Sequence, residues 1–193
     1  NVDYRGRAYG CSTDINVQGD DLCKALLEFA KPTPLQNEED VYWFFVAGAT
    51  HAAYKAPGQT RGLDKQSFDA RVDWIKANHD NILESAENPL PTTGKAWWLQ
   101  VSEDEHPLEF LAFCFEYSRM VAYKAANGSL IGWECRMAVP FDGSCSGLQH
   151  FSALLRDKKG GKAVNLTNVD EMQDVYMEVA MIVVEKLNKY AME

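Results

Sequence analysis

The chain has 193 residues, with 28 acidic side chains against 19 Lys and Arg and a formal charge of −9. That balance excludes a free-standing basic domain that coats DNA or RNA, though not an enzyme whose positive charge is confined to a cleft. A 46% hydrophobic content with 24% charge excludes a disordered chain, and the length suffices for one full domain or one domain carrying an insertion.

The opening VDYRGRAYGCS alternates and is rich in Tyr and Val, so it predicts a strand or hairpin arm. On such a strand Arg5, Arg7 and Tyr9 share one face, with Gly6 between the arginines. GDDLCKALLEFAKP predicts a short helix, with acids at its positive end, Leu22, Leu26 and Leu27 on one stripe, and Pro32 as its stop. EDVYWFFVAGATHAAY predicts a second, largely buried helix. From Asp64 to Asn88 the pattern predicts one helix to about Asn78 and another from about Asn81. NPLPTTGK reads as a loop. Pro107 then opens a core helix to Ala126, with Leu108, Leu111 and Phe115 inside, and Asn127-Gly128 marks a turn. LIGWECRMAVPF returns to strand character.

Beyond it, Leu148, Phe151, Leu154 and Leu155 give a helical stripe that ends near Gly160-Gly161. AVNLTN is a connector with Asn168 as a cap. The last helix carries Met172, Val175, Tyr176, Val179, Ile182 and Val183 on its apolar side. The expected fold class is therefore α+β, mainly helical, with small strand elements at either end of a helical middle that inserts between two strands lying side by side.

The five cysteines are odd in number and form no C-x-x-C pair, so free thiols in a reducing cytoplasm are expected, without a disulfide framework or zinc site. No charged-then-apolar leader opens the chain, and the run Tyr42 to Tyr54 is too short to span a bilayer. The chain thus reads as cytosolic, and its start at Asn1 rather than Met suggests an excised piece.

The chemistry concentrates in VPFDGSCSGLQHFSALLRD. Asp142 sits at the end of an apolar stretch, beside a turn with almost no side-chain bulk. One reading makes it a turn or cap residue. Another makes it a ligand for a hard cation such as Mg²⁺, with the unhindered carbonyl of Gly143 as second oxygen. A rival reading takes Gly143 to Gly147 as a strand-turn-helix elbow with Cys145 as the nucleophile of a cysteine hydrolase. That site needs a His base, and none follows His150. A third possibility is a non-catalytic magnesium- or nucleotide-binding module. Arg156, Lys158, Lys159 and Lys162 form the dense basic cluster, which could track a nucleic-acid backbone or simply favour a helix C-terminus. Asp174 alone reads as a solvated residue.

Taken in order, DGSCSGLQHFSALLRD, GGKAVNLTN and QDVY closely resemble the central motif region of the single-subunit DNA-directed RNA polymerases of T-odd phages and mitochondria. YRGRAY and GDDLCKALLEFAK resemble an earlier motif of that family, and NPL, WW and FLAFCFEY its intervening segment. Ser146, where mitochondrial members tend to carry Asn, favours the phage branch. The resemblance implies a right-hand polymerase, with residues 1–165 as partial palm, a helical insertion over about 33–127, and 166–193 as the start of the fingers. Asp142 then matches the first catalytic aspartate, binding two Mg²⁺ ions together with the Gly143 carbonyl. Arg5, Arg7 and Tyr9 match a motif lining template and nascent RNA. Ser144, Ser146, Gln149 and His150 match the supporting shell, and Asp174 and Tyr176 the helix closing one side of the cleft.

The implied activity is templated transfer of ribonucleoside triphosphates to an RNA 3′ end by two-metal phosphoryl transfer. The implied partners are DNA template and promoter, nascent RNA, the triphosphates and the remainder of the same polymerase chain, in a host cytoplasm and without a membrane. The second metal-binding aspartate of the family, in a later His-x-Asp-Ser-like motif, has no match in this sequence. Neither does the fingers helix that grips the nucleotide. The chain is therefore expected to be a fragment that is inactive alone.

Overall fold

The structure, a computed structural model, describes residues 1–4, 6–59, 61–102, 106–140, 143–167 and 172–191. The expected functional residues Arg5 and Asp142, and the cap Asn168, lie outside the described residues. The chain divides into two compact units, Asn1–Val139 and Pro140–Glu193.

The first unit opens on a tight hairpin. Val2 bridges Ala8 in antiparallel fashion, and Gly6, at φ 79, takes a left-handed conformation in the turn. Helix α1 (Asp21–Ala25) is capped by Asp20, whose carboxylate accepts the Cys23 N–H. It is shorter than the expected helix, because the chain straightens into strand β1 (Glu28–Pro34) before Pro32 is reached. Pro32 disfavours helical backbone at Lys31, and a strand partner satisfies the freed backbone groups. That partner is β2 (Glu134–Met137), antiparallel to β1, with Thr33 opposite Cys135 and Pro34 opposite Glu134. The ladder continues past β1, since Leu35 N–H donates to Trp133 O at 2.8 Å and Gly132 N–H to Leu35 O at 2.8 Å. The first of the two paired strands is therefore Glu28–Pro34 rather than the opening segment.

Among the described residues, five α-helices lie in sequence between the paired strands: α2 (Glu38–Ala52), α3 (Phe68–Ala77), α4 (His79–Glu87), α5 (Trp97–Ser102) and α6 (Pro107–Asn127). Helix α2 begins at a capping box between Asn37 and Asp40 and buries Phe44, Phe45, Val46, Ala49 and Ala52. Helix α5, which the periodicity does not predict, buries Trp98, whose indole N–H donates to Pro89 O at 2.9 Å.

Helix α6 is the spine and packs against α1, α2, α4, α5 and β2. Its core face is Phe110, Phe113, Cys114, Tyr117 and Met120, while Leu108 and Leu111 are half-buried and Phe115 is exposed. The expected face was nearly half a turn out of phase, because nearly every position from Leu108 to Phe115 is apolar and periodicity cannot choose among them. Phe113 lies 4.9 Å from Phe44 and 6.0 Å from Phe110, ring centre to ring centre. Helix α6 ends at Gly128, whose φ of 71 supplies the left-handed cap the Asn-Gly pair predicts.

The most deeply buried charged side chain among the described residues is an arginine. Arg71 on α3 is 2% exposed and donates to Thr50 Oγ1, Asp64 O and Gln66 O. Burial pushes its guanidinium below the usual range, and the three acceptors satisfy its fork of donors.

In the second unit, α7 (Ser146–Leu155) stops at Arg156, which takes φ 54. Asp157 then caps a separate helix, α8 (Lys158–Ala163), so the stripe does not run on to the glycine pair. Gly160 allows close packing: a Cβ there would lie 2.6 Å from Ser152 Oγ. The last helix, α9 (Val175–Ala191), begins later than expected: Met172 precedes it, and Asp174 caps it by accepting the Met177 N–H at 3.0 Å. The apolar stripes of α7 and α9 are exposed, from Leu148 and Phe151 through Leu154 and Leu155, and from Tyr176 through Ile182 to Leu187. Among the described residues no helix is long and apolar enough to cross a membrane.

Candidate functional site

The motif turn enters the second unit at Gly143 and Ser144. Cys145 follows at φ 111, a conformation that L side chains rarely adopt and that costs on the order of 1–3 kcal/mol. Its backbone carbonyl accepts the Gln149 N–H, so the residue stands at the N-terminal boundary of α7. A Cβ on Gly143 would lie 3.2 Å from Gln149 Oε1, so the bare backbone is needed for the glutamine to lie against the turn. Gln149 in turn donates to Val164 O at 2.8 Å, which ties the turn to the end of α8.

Asn165 completes the support, and sequence reading had passed over it as part of a connector. Its Nδ2 donates to Ser144 Oγ at 2.9 Å and to Gln173 O at 2.8 Å, while its Oδ1 accepts the Gln173 N–H at 2.7 Å. One amide side chain therefore binds the motif turn to the segment that leads into α9. Its φ of 57 is a conformation Asn tolerates better than most residues, and this was the available sequence signal. Replacing Asn165 by Ala removes all three bonds and should cost about 1–3 kcal/mol locally. Asn165→Gly should recover only the backbone part. Hydrogen exchange at the amides of 144–149 and 173–177 would read both variants, and unchanged protection in Asn165→Ala would refute this role.

Tyr176, on the first turn of α9, meets the Cys145 thiol, and this hydrogen bond is the largest cause of the upward shift of its phenol. The structure thus brings Gly143, Ser144, Cys145, Gln149 and Tyr176 together within one unit, with Asp174 capping the helix that carries Tyr176. Ser146 and His150 are on α7 and exposed. The elbow reading of Cys145 requires an imidazole base, whereas the partner the structure gives its thiol is the Tyr176 hydroxyl, so a cysteine hydrolase gains no support. All five cysteines are free. Of the basic cluster, Arg156 caps α7 while Lys158, Lys159 and Lys162 are exposed on α8.

In the first unit, Arg7 and Tyr9 stand on the returning arm of the opening hairpin, both exposed. Asp3, which the motif reading left out, holds that arm. Its carboxylate accepts the Arg7 N–H at 3.0 Å and the Tyr9 hydroxyl at 3.1 Å.

A family model for DNA-dependent RNA polymerase matches residues 37–193, and the chain belongs to that family. The match extends to phage and organellar single-subunit enzymes over nearly the whole chain. T7 RNA polymerase of Escherichia phage T7 is 42% identical over 187 residues, 97% of this chain and 19% of that protein. The DNA-directed RNA polymerase of Enterobacteria phage K11 is 43% identical over 191 residues, 99% of this chain and 18% of that protein. A chloroplastic/mitochondrial polymerase of Nicotiana sylvestris is 36% identical over 191 residues, 99% of this chain and 17% of that protein. The chain spans less than a fifth of the length of these curated relatives.

Proposed function

We propose that this chain supplies part of the catalytic centre of a DNA-directed RNA polymerase, in the palm region and the start of the fingers, acting in a host cytoplasm. The observation that carries this reading is the similarity to phage polymerases across 97–99% of the chain. Asp142, with the carbonyl of Gly143, would hold two Mg²⁺ ions, and a second carboxylate would come from polymerase chain outside these residues. The donor set fits: a carboxylate and a carbonyl oxygen are hard ligands, and the adjoining turn is bare of bulk where metal and substrate must approach. Bound there, the ions would supply the charge stabilisation of in-line phosphoryl transfer to an RNA 3′ hydroxyl.

The chain's own residues would do the positioning. Ser144, Gln149 and Asn165 hold the turn through the bonds above, and α7, carrying Ser146 and His150, gives it a rigid base. Tyr176 and the Asp174 cap set the start of α9 against Cys145. Arg7 and Tyr9, on the arm held by Asp3, would line template and nascent RNA, joined by Arg5. Alone the chain would not elongate RNA.

The test is promoter-dependent incorporation of ribonucleotides by the parent protein, beside the isolated 193-residue chain. Synthesis by the parent that stops on chelation of Mg²⁺, with none from the isolated chain, is expected. A parent protein inert on every template offered would overturn the reading, and RNA synthesis by the isolated chain would overturn its incompleteness.

A further inference from the structure

Three elements of the first unit converge on one buried carboxylate. Glu109, on the first turn of α6, is 8% exposed. Its Oε2 faces Nδ1 of His51 on α2 at 3.3 Å, and its Oε1 faces Nδ1 of His106 at 3.5 Å. Among the described residues these two imidazoles are the groups within ion-pairing distance, and Lys24 lines the same small cavity. Asp21, on α1, reaches the same place. Its two carboxylate oxygens accept the N–H groups of Leu108 and Glu109 at 2.8 and 2.9 Å, capping α6 from another helix. Ligand atoms of Asp21, His106 and Glu109 all lie within 4.8 Å of one another.

We propose that Asp21, His106 and Glu109 form a binding site for a divalent transition-metal ion, Zn²⁺ being the first choice. One imidazole and two carboxylates are a donor set that suits such ions, and a dication cancels the two carboxylate charges, one of them buried. Ligands on a tetrahedral ion with bonds of about 2.1 Å stand roughly 3.4 Å apart, so the three must draw in slightly. His106 can supply that movement, because its side chain is 45% exposed and lies just outside the helix. The two backbone N–H groups on Asp21 and the imidazole of His51 beside Glu109 then orient the ligating carboxylates from behind, as outer partners of metal ligands commonly do. The ion would pin the N-terminus of α6 to α1.

The test uses the parent polymerase stripped of metal with a chelator and titrated with Co²⁺. The wild type should take up one Co²⁺ more than His106→Ala, with visible ligand-field absorption that Zn²⁺ displaces. In Glu109→Gln the affinity should fall by about 100-fold or more. His106→Cys, which keeps a ligand at a half-exposed position, should add a thiolate-to-cobalt charge-transfer band. Equal Co²⁺ uptake and identical spectra in wild type and His106→Ala overturn the proposal. So does the lack of a thiolate band in folded His106→Cys, which settles the matter even if the alanine variant fails to fold.

Discussion

Asp142→Asn in the parent polymerase should lower RNA synthesis by about three orders of magnitude or more, equivalent to ~4 kcal/mol of transition-state stabilisation. The substitution keeps the shape of the side chain and removes the charge that would hold the cations. Folding should be intact, because Gln149, Asn165 and Val164 hold the adjoining turn. Circular dichroism and promoter binding would therefore match the wild type while elongation is lost. Near-normal synthesis would make Asp142 a structural turn residue and remove the metal-binding role from this motif.

The largest effect on stability is expected where α2 crosses α6. A Cβ on Gly48 would lie 2.2 Å from two ring atoms of Phe113, and the ring is fully buried. It cannot swing aside, since Phe44 and Phe110 flank it. Gly48→Ala gains about 1 kcal/mol of helix propensity but forces the helices apart, for a net loss of about 1–3 kcal/mol. Phe113→Ala should cost about 3–5 kcal/mol through the cavity it leaves. In the double variant the added methyl enters that cavity, so Gly48→Ala should change sign and become stabilising. Opening free energies of α2 and α6 amides, from hydrogen exchange in the parent polymerase, would measure this cycle. Additive losses would mean that the two helices do not meet through this pair.

Much of this molecule was legible along the chain because the signals are local. The Pro107 start of α6, the Asn127-Gly128 stop and the break near Asn78 each rest on residues within one turn of helix. The motif from Asp142 to His150 stood out by its lack of bulk, and the family it resembles is the family the chain belongs to. Asn165 was missed because its role depends on Ser144 and Gln173, 21 and 8 residues away.

Composition, local punctuation and motif order thus determined the helix-rich class, the bounds of several middle helices and the polymerase family. The tertiary structure decided what pairing energies at a distance decide. It extended Glu28–Pro34 into a strand against residues more than a hundred positions later, and chose Phe110 and Phe113 as the buried face of α6. It also left the apolar stripes of α7 and α9 exposed, and brought Asp21 to the N-terminus of α6 beside Glu109 and His106. The reason is physical: a helical or turn propensity is stored in a few neighbouring residues, whereas burial and cross-chain hydrogen bonds belong to pairs that only folding brings together.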